Sequence, residues 1–145
     1  MTANTPRTKK QKGSTFEREI AKLYMRRLFK KAMRMPMSGA ISNLKGDIWK
    51  DEYDVFLDEC KNQETWKIAE YWKQTVDQCG VYQKPVLHIK KNFHEPLTII
   101  RTLDYFDLRE TIKDLEEENA RLQQYEPKTT FITKESQLKG LKKRK

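Results

Sequence analysis

The chain has 145 residues and a formal net charge of +9, with 35% charged and 37% hydrophobic residues. This length suits one domain with a modest hydrophobic core, and no apolar run reaches the roughly 18 residues that span a bilayer. Residues 1–13 are basic but lack the apolar stretch of a secretory signal. We therefore expect a cytoplasmic protein with no membrane partner.

The positive charge is concentrated at two ends of the chain. Residues 1–12 carry four Lys or Arg, and residues 134–145 carry six against one Glu, which leaves residues 13–133 without net charge. Such ends suit nucleic acid, an anionic membrane surface or simple solubility. Because no amphipathic apolar face accompanies them, nucleic acid is favoured.

Apolar spacing and turn residues predict an α/β domain with helices on either side of a strand pair. Ser14 is expected to cap the first helix, and Gly80 to end the second. Pro, Gly, Ser and Asn residues predict a loop over 34–46. The predicted elements are a helix over 14–32, strands over 47–50 and 54–61, a helix over 66–79, strands over 84–91 and 97–103, and a helix over 104–125.

The last helix carries an apolar stripe at heptad-like spacing. It either packs this stripe on the body of the protein or forms the seam of a dimer. The stripe comprises Leu108, Ile112, Leu115, Asn119 and Leu122. The chain thus divides into a flexible basic segment (1–12), a core (13–103), the long helix (104–125) and a disordered basic segment (126–145).

Two acids stand where the first strand pair should bury apolar side chains. If the hairpin turn centres on Tyr53, Asp47 lies directly opposite Glu59, with Cβ atoms about 5 Å apart. Glu59 and Lys61 then share one face while Cys60 points to the other. Two such carboxylates repel unless a cation separates them, and hard oxygen ligands suit Mg²⁺ or Mn²⁺. The alternative is that Asp47 caps a turn and Glu59–Lys61 is an ordinary surface pair.

These residues form a pattern that resembles the PD-(D/E)XK nuclease motif, namely "GD", eleven residues, then "ECK". Gly46 stands where that superfamily often has proline. Over about residues 12–91 the order "KGSTFERE", "RMPMSGA", "KGD" and "ECKN" is similar to the archaeal-type Holliday-junction resolvases and their phage relatives. The long helix and the basic C-terminal segment lie outside this resemblance.

The resemblance implies a restriction-endonuclease-like core, with a central mixed sheet flanked by helices and the long C-terminal helix added. It implies that Asp47, Glu59 and the backbone carbonyl of Cys60 bind the metal, which is Mg²⁺ with Mn²⁺ as a substitute. Lys61 would orient or help to deprotonate the attacking water. Glu17 would reach the same site from the first helix, as a further metal ligand or catalytic group.

Glu17 has a second interpretation from the residues themselves. It lies within the apolar arc of the first helix, where a carboxylate needs a partner such as a metal. However, Ser14 and Glu17 also have the spacing of a capping box, in which the glutamate bonds the amide of the cap residue. The two roles are compatible.

Four further residues are candidates for DNA contacts. Arg34 and Lys45 would bind phosphate, and Ser38 would bond a phosphate or a ligand carboxylate unless it is only a turn residue. Gln74 on the second helix faces either the active site or solvent. Lys67 and Lys73 on the same helix are expected to face solvent, where DNA contact remains open.

The resulting hypothesis is a metal-dependent, structure-selective DNA endonuclease that resolves four-way junctions as a homodimer, in the host cytoplasm if phage-encoded. One alternative is a restriction-like or repair nuclease that acts on linear or branched DNA. Another is a non-catalytic nucleic-acid-binding protein, although such a protein gains nothing from acids that face a polyanion. A zinc site is disfavoured because the spacing of the two Cys and two His fits no zinc finger.

Overall fold

The structure is a computed structural model that describes residues 6–36 and 45–125, with side chains from residue 9 onward. Three helices and five strands are present in these ranges, and none of the helices is long and apolar enough to cross a membrane. The elements are α1 (Pro6–Arg27), β1 (Ala32–Arg34), β2 (Ile48–Lys50), β3 (Phe56–Asn62), α2 (Ile68–Gln78), β4 (Lys84–Lys90), β5 (Leu97–Ile99) and α3 (Thr102–Tyr125).

The chain divides into two compact units, Met1–Tyr105 and Phe106–Lys145. The first unit contains α1, α2 and the five described strands. It also contains the first turn of α3, which an ion pair of 2.9 Å between Lys84 and Asp104 ties to the start of β4. The second unit contains the remainder of α3.

Hydrogen bonds join the described strands into two small sheets. β1 and β2 form an antiparallel pair, whereas β4 lies between β3 and β5. β4 runs parallel to β3 and antiparallel to β5, and α2 supplies the crossover that a parallel pair requires. The fold is therefore α/β with mixed strand pairing, as the sequence predicts, and it is compatible with a PD-(D/E)XK core.

The two faces of β3 receive different helices. Cys60 points toward α1, where it packs in a buried cluster with Phe16, Ile20 and Ile48. Because side chains alternate along a strand, Glu59 points to the opposite face, where a side chain of α2 hydrogen-bonds it. β3 thus presents apolar packing on one side and a carboxylate on the other.

The first helix begins eight residues earlier than Ser14, at Pro6, and ends at Arg27. Proline is favoured at the first helical position, and the Lys and Gln residues that follow it are good helix formers. The Ser14 hydroxyl donates a hydrogen bond to the Gln11 carbonyl at 3.2 Å, inside the helix. The predicted cap at Ser14, and with it the capping-box role of Glu17, is wrong.

The predicted hairpin between the two central strands is also wrong. β2 pairs with β1, with Met33 opposite Trp49, whereas β3 pairs with β4. The four residues Leu57 to Cys60 are all buried, and a strand buried on both faces is typical of parallel pairing. Residues 51–55 therefore connect two sheets instead of closing one hairpin.

Other predicted boundaries differ by a few residues. The helix predicted over 66–79 spans Ile68–Gln78 and ends just before Gly80, as expected. The strand predicted over 97–103 stops at Ile99, because the backbone enters α3 at Thr102. The helix predicted over 104–125 begins two residues earlier, at Thr102, and ends at Tyr125, as expected.

Candidate active site

Asp47 lies between the β1–β2 pair and the outer edge of β3. Its backbone amide donates to the Asp58 carbonyl at 2.7 Å, and its carbonyl accepts from the Met35 amide at 2.7 Å. Gly46 precedes it with φ of +82°, and a Cβ at Gly46 would lie 3.2 Å from the Asp58 carbonyl oxygen. Glycine is required here because the backbone both turns left-handed and passes close to β3.

The side chain of Asp47 reaches the backbone of the E-C-K segment. Its Oδ2 accepts a hydrogen bond from the Cys60 amide at 2.8 Å. In an extended strand the amide and carbonyl of one residue point to the same side, so the Cys60 carbonyl lies on the edge that faces Asp47. Asp47 thus approaches Glu59 and Cys60 through a side chain, not through the strand pairing that the hairpin predicted.

Glu59 is buried, and its Oε1 atom has two donors. Lys61 Nζ lies 2.5 Å from this oxygen, and Gln74 Nε2 lies 3.1 Å from it. Lys61 reaches it because residues two apart in a strand share a face. Gln74 reaches it from α2 although the residue is itself exposed, so it combines the two orientations expected for it.

Burial and the negative charge of Asp47 raise the pKa of two neighbouring carboxyl groups. Burial raises the pKa of Glu59, the negative charge of Asp47 raises it further, and Lys61 opposes both effects. Burial likewise raises the pKa of Glu17, Arg34 lowers it, and Asp47 again raises it. Glu17 and Glu59 therefore lie near Asp47 in one patch, where their own negative charge is costly and a cation would be favoured.

Glu17 stands on α1 and forms an ion pair with Arg34 of β1. Its side chain is largely buried, in agreement with its predicted position within the apolar arc. The Nε of Arg34, for which a phosphate contact is predicted, donates a hydrogen bond to Glu17. The pair links the first helix to the sheet that carries Asp47.

The remaining predicted contacts lie nearer to solvent. Lys45 is exposed directly before Gly46. Lys67 and Lys73 are exposed, as predicted, in pairs with Glu70 and Asp77. The prediction at Ser38 lies outside the described residues.

Sequence reasoning missed Gln78, which lies one helical turn after Gln74 on the same face of α2. Its Oε1 accepts a hydrogen bond from the Gly46 amide at 3.4 Å, and its side chain lies close enough to Glu59 to lower the pKa of that carboxyl, against the effect of burial. Two glutamines four residues apart beside a predicted catalytic strand are the signal that would have identified it. Gln78 connects both ends of the "GD…ECK" pattern.

A second buried network on the opposite face of β3 was also missed. Asp58 Oδ1 accepts from the Tyr24 hydroxyl at 2.6 Å and contacts His88 Nε2 at 2.9 Å. Asp58 Oδ2 lies 2.5 Å from the ammonium of Lys50, which is itself buried. The signal in the sequence was the acid in the apolar run "VFLDEC". This network holds β3 against α1, β2 and β4.

The donor set of the patch suits a small, hard divalent cation. Within residues 6–36 and 45–125, no three Cys, His, Asp or Glu side chains gather as a group that could hold a metal. Two carboxylates, from Asp47 and Glu59, and the Cys60 carbonyl offer oxygen ligands on one edge. Such a cation keeps several waters, so a partial protein shell of oxygens fits it.

A basic groove adjoins this patch at the far end of β3. Two open cavities of about 270 and 420 Å³ both include Lys12 and Asn62 in their walls. Lys9, Lys67 and Tyr71 also line the smaller cavity. The Lys61 ammonium lies 5.8 Å from the centroid of the Tyr71 ring, which connects the groove to the acidic patch.

Residues 8–144 match the family model described as "Phage putative PDDEXK endonuclease". The chain belongs to this PD-(D/E)XK family. No curated protein and no solved structure matches the chain.

Membership of the PD-(D/E)XK family makes the protein a nuclease, with DNA as its substrate and a divalent metal as its general cofactor. It agrees with the resemblance recognised in the sequence at the level of the superfamily. The resemblance to Holliday-junction resolvases is a finer statement, which the family match leaves open.

Proposed function

We propose that the protein is a Mg²⁺-dependent, structure-selective DNA endonuclease that resolves four-way junctions. The observation that carries this proposal is the convergence of Asp47, the Cys60 backbone and the Glu59–Lys61 pair at one edge of β3. An acid-rich, partly buried patch of this kind has no use in a protein that only binds a polyanion. Beside a basic groove, it suits phosphodiester hydrolysis.

The two carboxylates and the Cys60 carbonyl would hold the metal. A divalent cation bound there supplies positive charge for the transition-state phosphate and lowers the pKa of water. Asp47 is held ready for this role by its bond to the Cys60 amide, and Glu59 by its bonds to Lys61 and Gln74. Side chains locked in this way need little rearrangement before the reaction.

Lys61 acts on the water and on the phosphate. Its ammonium is a compact charge with three donors, one of which Glu59 takes. The others are available to orient the attacking water and to stabilise the charge that develops on the phosphate oxygens. Glu17 and Arg34 flank the site from α1 and β1, and we propose that the Arg34 guanidinium, which bonds Glu17, also contacts a phosphate.

The groove beside the site supports a nucleic-acid backbone as substrate. Within the described residues, neither Lys9 nor Lys12 has a carboxylate partner, so their charges remain for phosphate. Phosphate contacts position a protein on DNA without reading its sequence. We infer that recognition depends on the shape and backbone of branched DNA.

Resolution of a junction requires two symmetric nicks. A homodimer with twofold symmetry presents two equal sites to the two continuous strands, so we propose that the active form is a dimer. Each site then hydrolyses one phosphodiester.

The direct test uses labelled four-way junction, flap and linear duplex, each incubated with and without Mg²⁺. We expect cleavage only with the metal, and paired nicks in the junction at a higher rate than in the other two substrates. Equal cleavage of linear duplex would replace junction resolution by a restriction-like or repair activity. Cleavage in a metal chelator would contradict the proposed chemistry.

We predict that Asp47→Ala and Glu59→Ala each abolish cleavage while DNA binding is kept or tightened. Each substitution removes a proposed metal ligand and also a negative charge that faces phosphate. Gel-shift titrations measure the binding, and gel electrophoresis of the products measures the cleavage. Asp77→Ala, which changes an exposed acid on α2 outside the groove, is the matched control and should leave cleavage intact. Near wild-type cleavage by either variant would remove that residue from the site.

A further inference from the structure

An apolar stripe runs along α3, and within the described part of the chain its side chains are exposed. Leu108, Ile112, Leu115 and Leu122 have between 40% and 57% of their surface exposed. Together with Asn119, which is also exposed, they follow spacings of four, three, four and three residues. A stripe with this repeat lies on one side of a helix that packs against another helix.

The residue types at these positions match a two-stranded coiled coil. The spacing places Ile112 and Asn119 at heptad position a, and Leu108, Leu115 and Leu122 at position d. β-branched residues at a with leucine at d favour two strands. A single asparagine at a fixes the register and the number of strands, because it bonds its equivalent in the second helix.

The asparagine also decides the direction of the second helix. In a parallel dimer position a meets position a, so Asn119 meets Asn119 of the second copy. In an antiparallel dimer position a meets position d, and every d position of the stripe is leucine. Asn119 would then be buried without a partner, which is costly.

The residues that flank the stripe are compatible with a parallel arrangement. Position g of one helix lies beside position e of the next heptad in its partner. These contacts would join Glu118 to Gln123 and Thr111 to Glu116, with no like charges opposed. Outside the stripe the helix is solvated, with ion pairs such as Lys113–Glu117 along its own surface.

We propose that α3 forms a parallel two-stranded coiled coil with α3 of a second copy of this chain. The inference rests on the dimer of the proposed function, and it assigns the contact surface of that dimer. The second copy contributes an identical stripe, so all exposed leucines of the stripe become covered at once.

The test measures the oligomeric state of the full chain by sedimentation velocity over a range of concentrations. We expect a dimer that dissociates on dilution, and Leu115→Lys should be monomeric throughout this range. Ala120→Lys adds the same charge at position b of the same helix, outside the stripe, and should remain a dimer. Equal behaviour of the two variants would overturn the inference.

A gain of association provides a test that does not depend on disruption. Asn119→Ile removes the polar residue that costs stability at position a. It should lower the dissociation constant of the assembly by about tenfold or more and admit oligomers larger than a dimer. Weaker association of this variant would contradict the proposed register.

The direction of the helices is tested by cross-linking under mild oxidation. In a parallel dimer Leu122→Cys places two thiols at the same d position, whereas Gln124→Cys places them on outward-facing surfaces. We expect a covalent dimer from the first variant only, with the unsubstituted chain oxidised in parallel to account for Cys60 and Cys79. No cross-link at position 122, or equal cross-linking of both variants, would exclude the parallel pairing.

The outcomes separate this inference from the proposed function. If the unsubstituted chain is a dimer and Leu115→Lys remains one, the interface lies elsewhere and the coiled coil is wrong, while symmetric cleavage still stands. If the unsubstituted chain is a monomer at all concentrations and on junction DNA, both the coiled coil and paired cleavage by a dimer are wrong.

Discussion

At the scale of single residues, Lys61 has the most closely defined surroundings. Its ammonium lies 2.5 Å from Glu59 Oε1 and above the ring of Tyr71, and 20% of its side chain is exposed. An ordinary surface pair contributes less than about 1 kcal/mol to stability and nothing to catalysis. A lysine that orients water beside buried carboxylates contributes chiefly to the reaction.

We predict that Lys61→Ala stays folded and binds junction DNA but loses cleavage by about 100-fold or more, the effect of one lost electrostatic or proton-transfer group. Lys61→Arg should rescue little, because a planar guanidinium does not reproduce a compact ammonium. Single-turnover cleavage with saturating enzyme is the measurement, since differences in binding then disappear.

The matched control for Lys61 is Lys73→Ala. Lys73 also pairs with a carboxylate, that of Asp77, but 76% of its side chain is exposed on α2. We expect its single-turnover rate to equal that of the unsubstituted protein. Full activity of Lys61→Ala would mean that the E-C-K segment is not the catalytic motif.

At the scale of elements, β3 separates the proposed catalytic face from a structural one. Glu59 and Lys61 point toward α2, whereas Asp58 and Cys60 point toward α1. The Asp58 side chain is fully buried and neutralised by Lys50. Asp47 bonds the backbone of both Asp58 and Cys60. The packing that fixes β3 through its structural face therefore also fixes the position of Asp47 relative to Glu59.

We predict that Asp58→Asn destabilises the protein by about 3 kcal/mol or more at neutral pH, because it leaves the buried Lys50 charge with less compensation. Although burial by itself raises the pKa of Asp58, the His88 hydrogen bond and the Lys50 charge lower it overall. The stabilisation is therefore present above the ordinary pKa of 3.8 and is lost as the pH falls through the lower folded value.

Urea unfolding over an acidic pH series checks this prediction. The difference in unfolding free energy between the unsubstituted protein and Asp58→Asn should narrow as the pH falls below 3.8. Asp77→Asn, which alters an exposed pair on α2, should change stability by no more than about 0.5 kcal/mol. A difference that is independent of pH would show that the Asp58 charge does not stabilise the fold.

At the scale of the whole molecule, the positive charge that would bind DNA and the acidic patch proposed for the reaction lie in different parts of the chain. Residues 13–133 are neutral overall and contain the acidic patch, whereas the basic groove also takes Lys9 and Lys12 from the preceding residues. The excess positive charge lies in residues 1–12 and 134–145. Excess positive charge attracts DNA over a distance, whereas the groove would fix one path for the strand.

We predict that deletion of residues 134–145 flattens the dependence of DNA affinity on salt. The deletion removes six Lys or Arg, and each phosphate contact contributes about 0.9 to the slope of log affinity against log salt. The slope should become shallower by as much as about 5, measured by fluorescence anisotropy on junction DNA. A full-length chain with these six residues changed to Gln should show the same shallower slope. An unchanged slope in either variant would mean that the segment serves only solubility.

The sequence by itself determined the local features of this protein. The helix over Ile68–Gln78 and the strand Lys84–Lys90 follow from apolar spacing, and the heptad stripe of α3 follows from the order of its residues. The shared face of Glu59 and Lys61 follows from strand geometry alone. The order of four short motifs was enough to indicate the superfamily to which the chain belongs.

Only the tertiary structure decided which distant residues meet. The pairing of β2 with β1, the contacts of Gln74 and Gln78 with Glu59, and the burial of Asp58 against His88 all join residues far apart in sequence. The spacing of residues along the chain predicts which face of a helix or strand a side chain lies on, but not which element packs against that face. The choice between a hairpin and a parallel crossover for β3 depends on β4, whose contribution no local pattern in β3 contains.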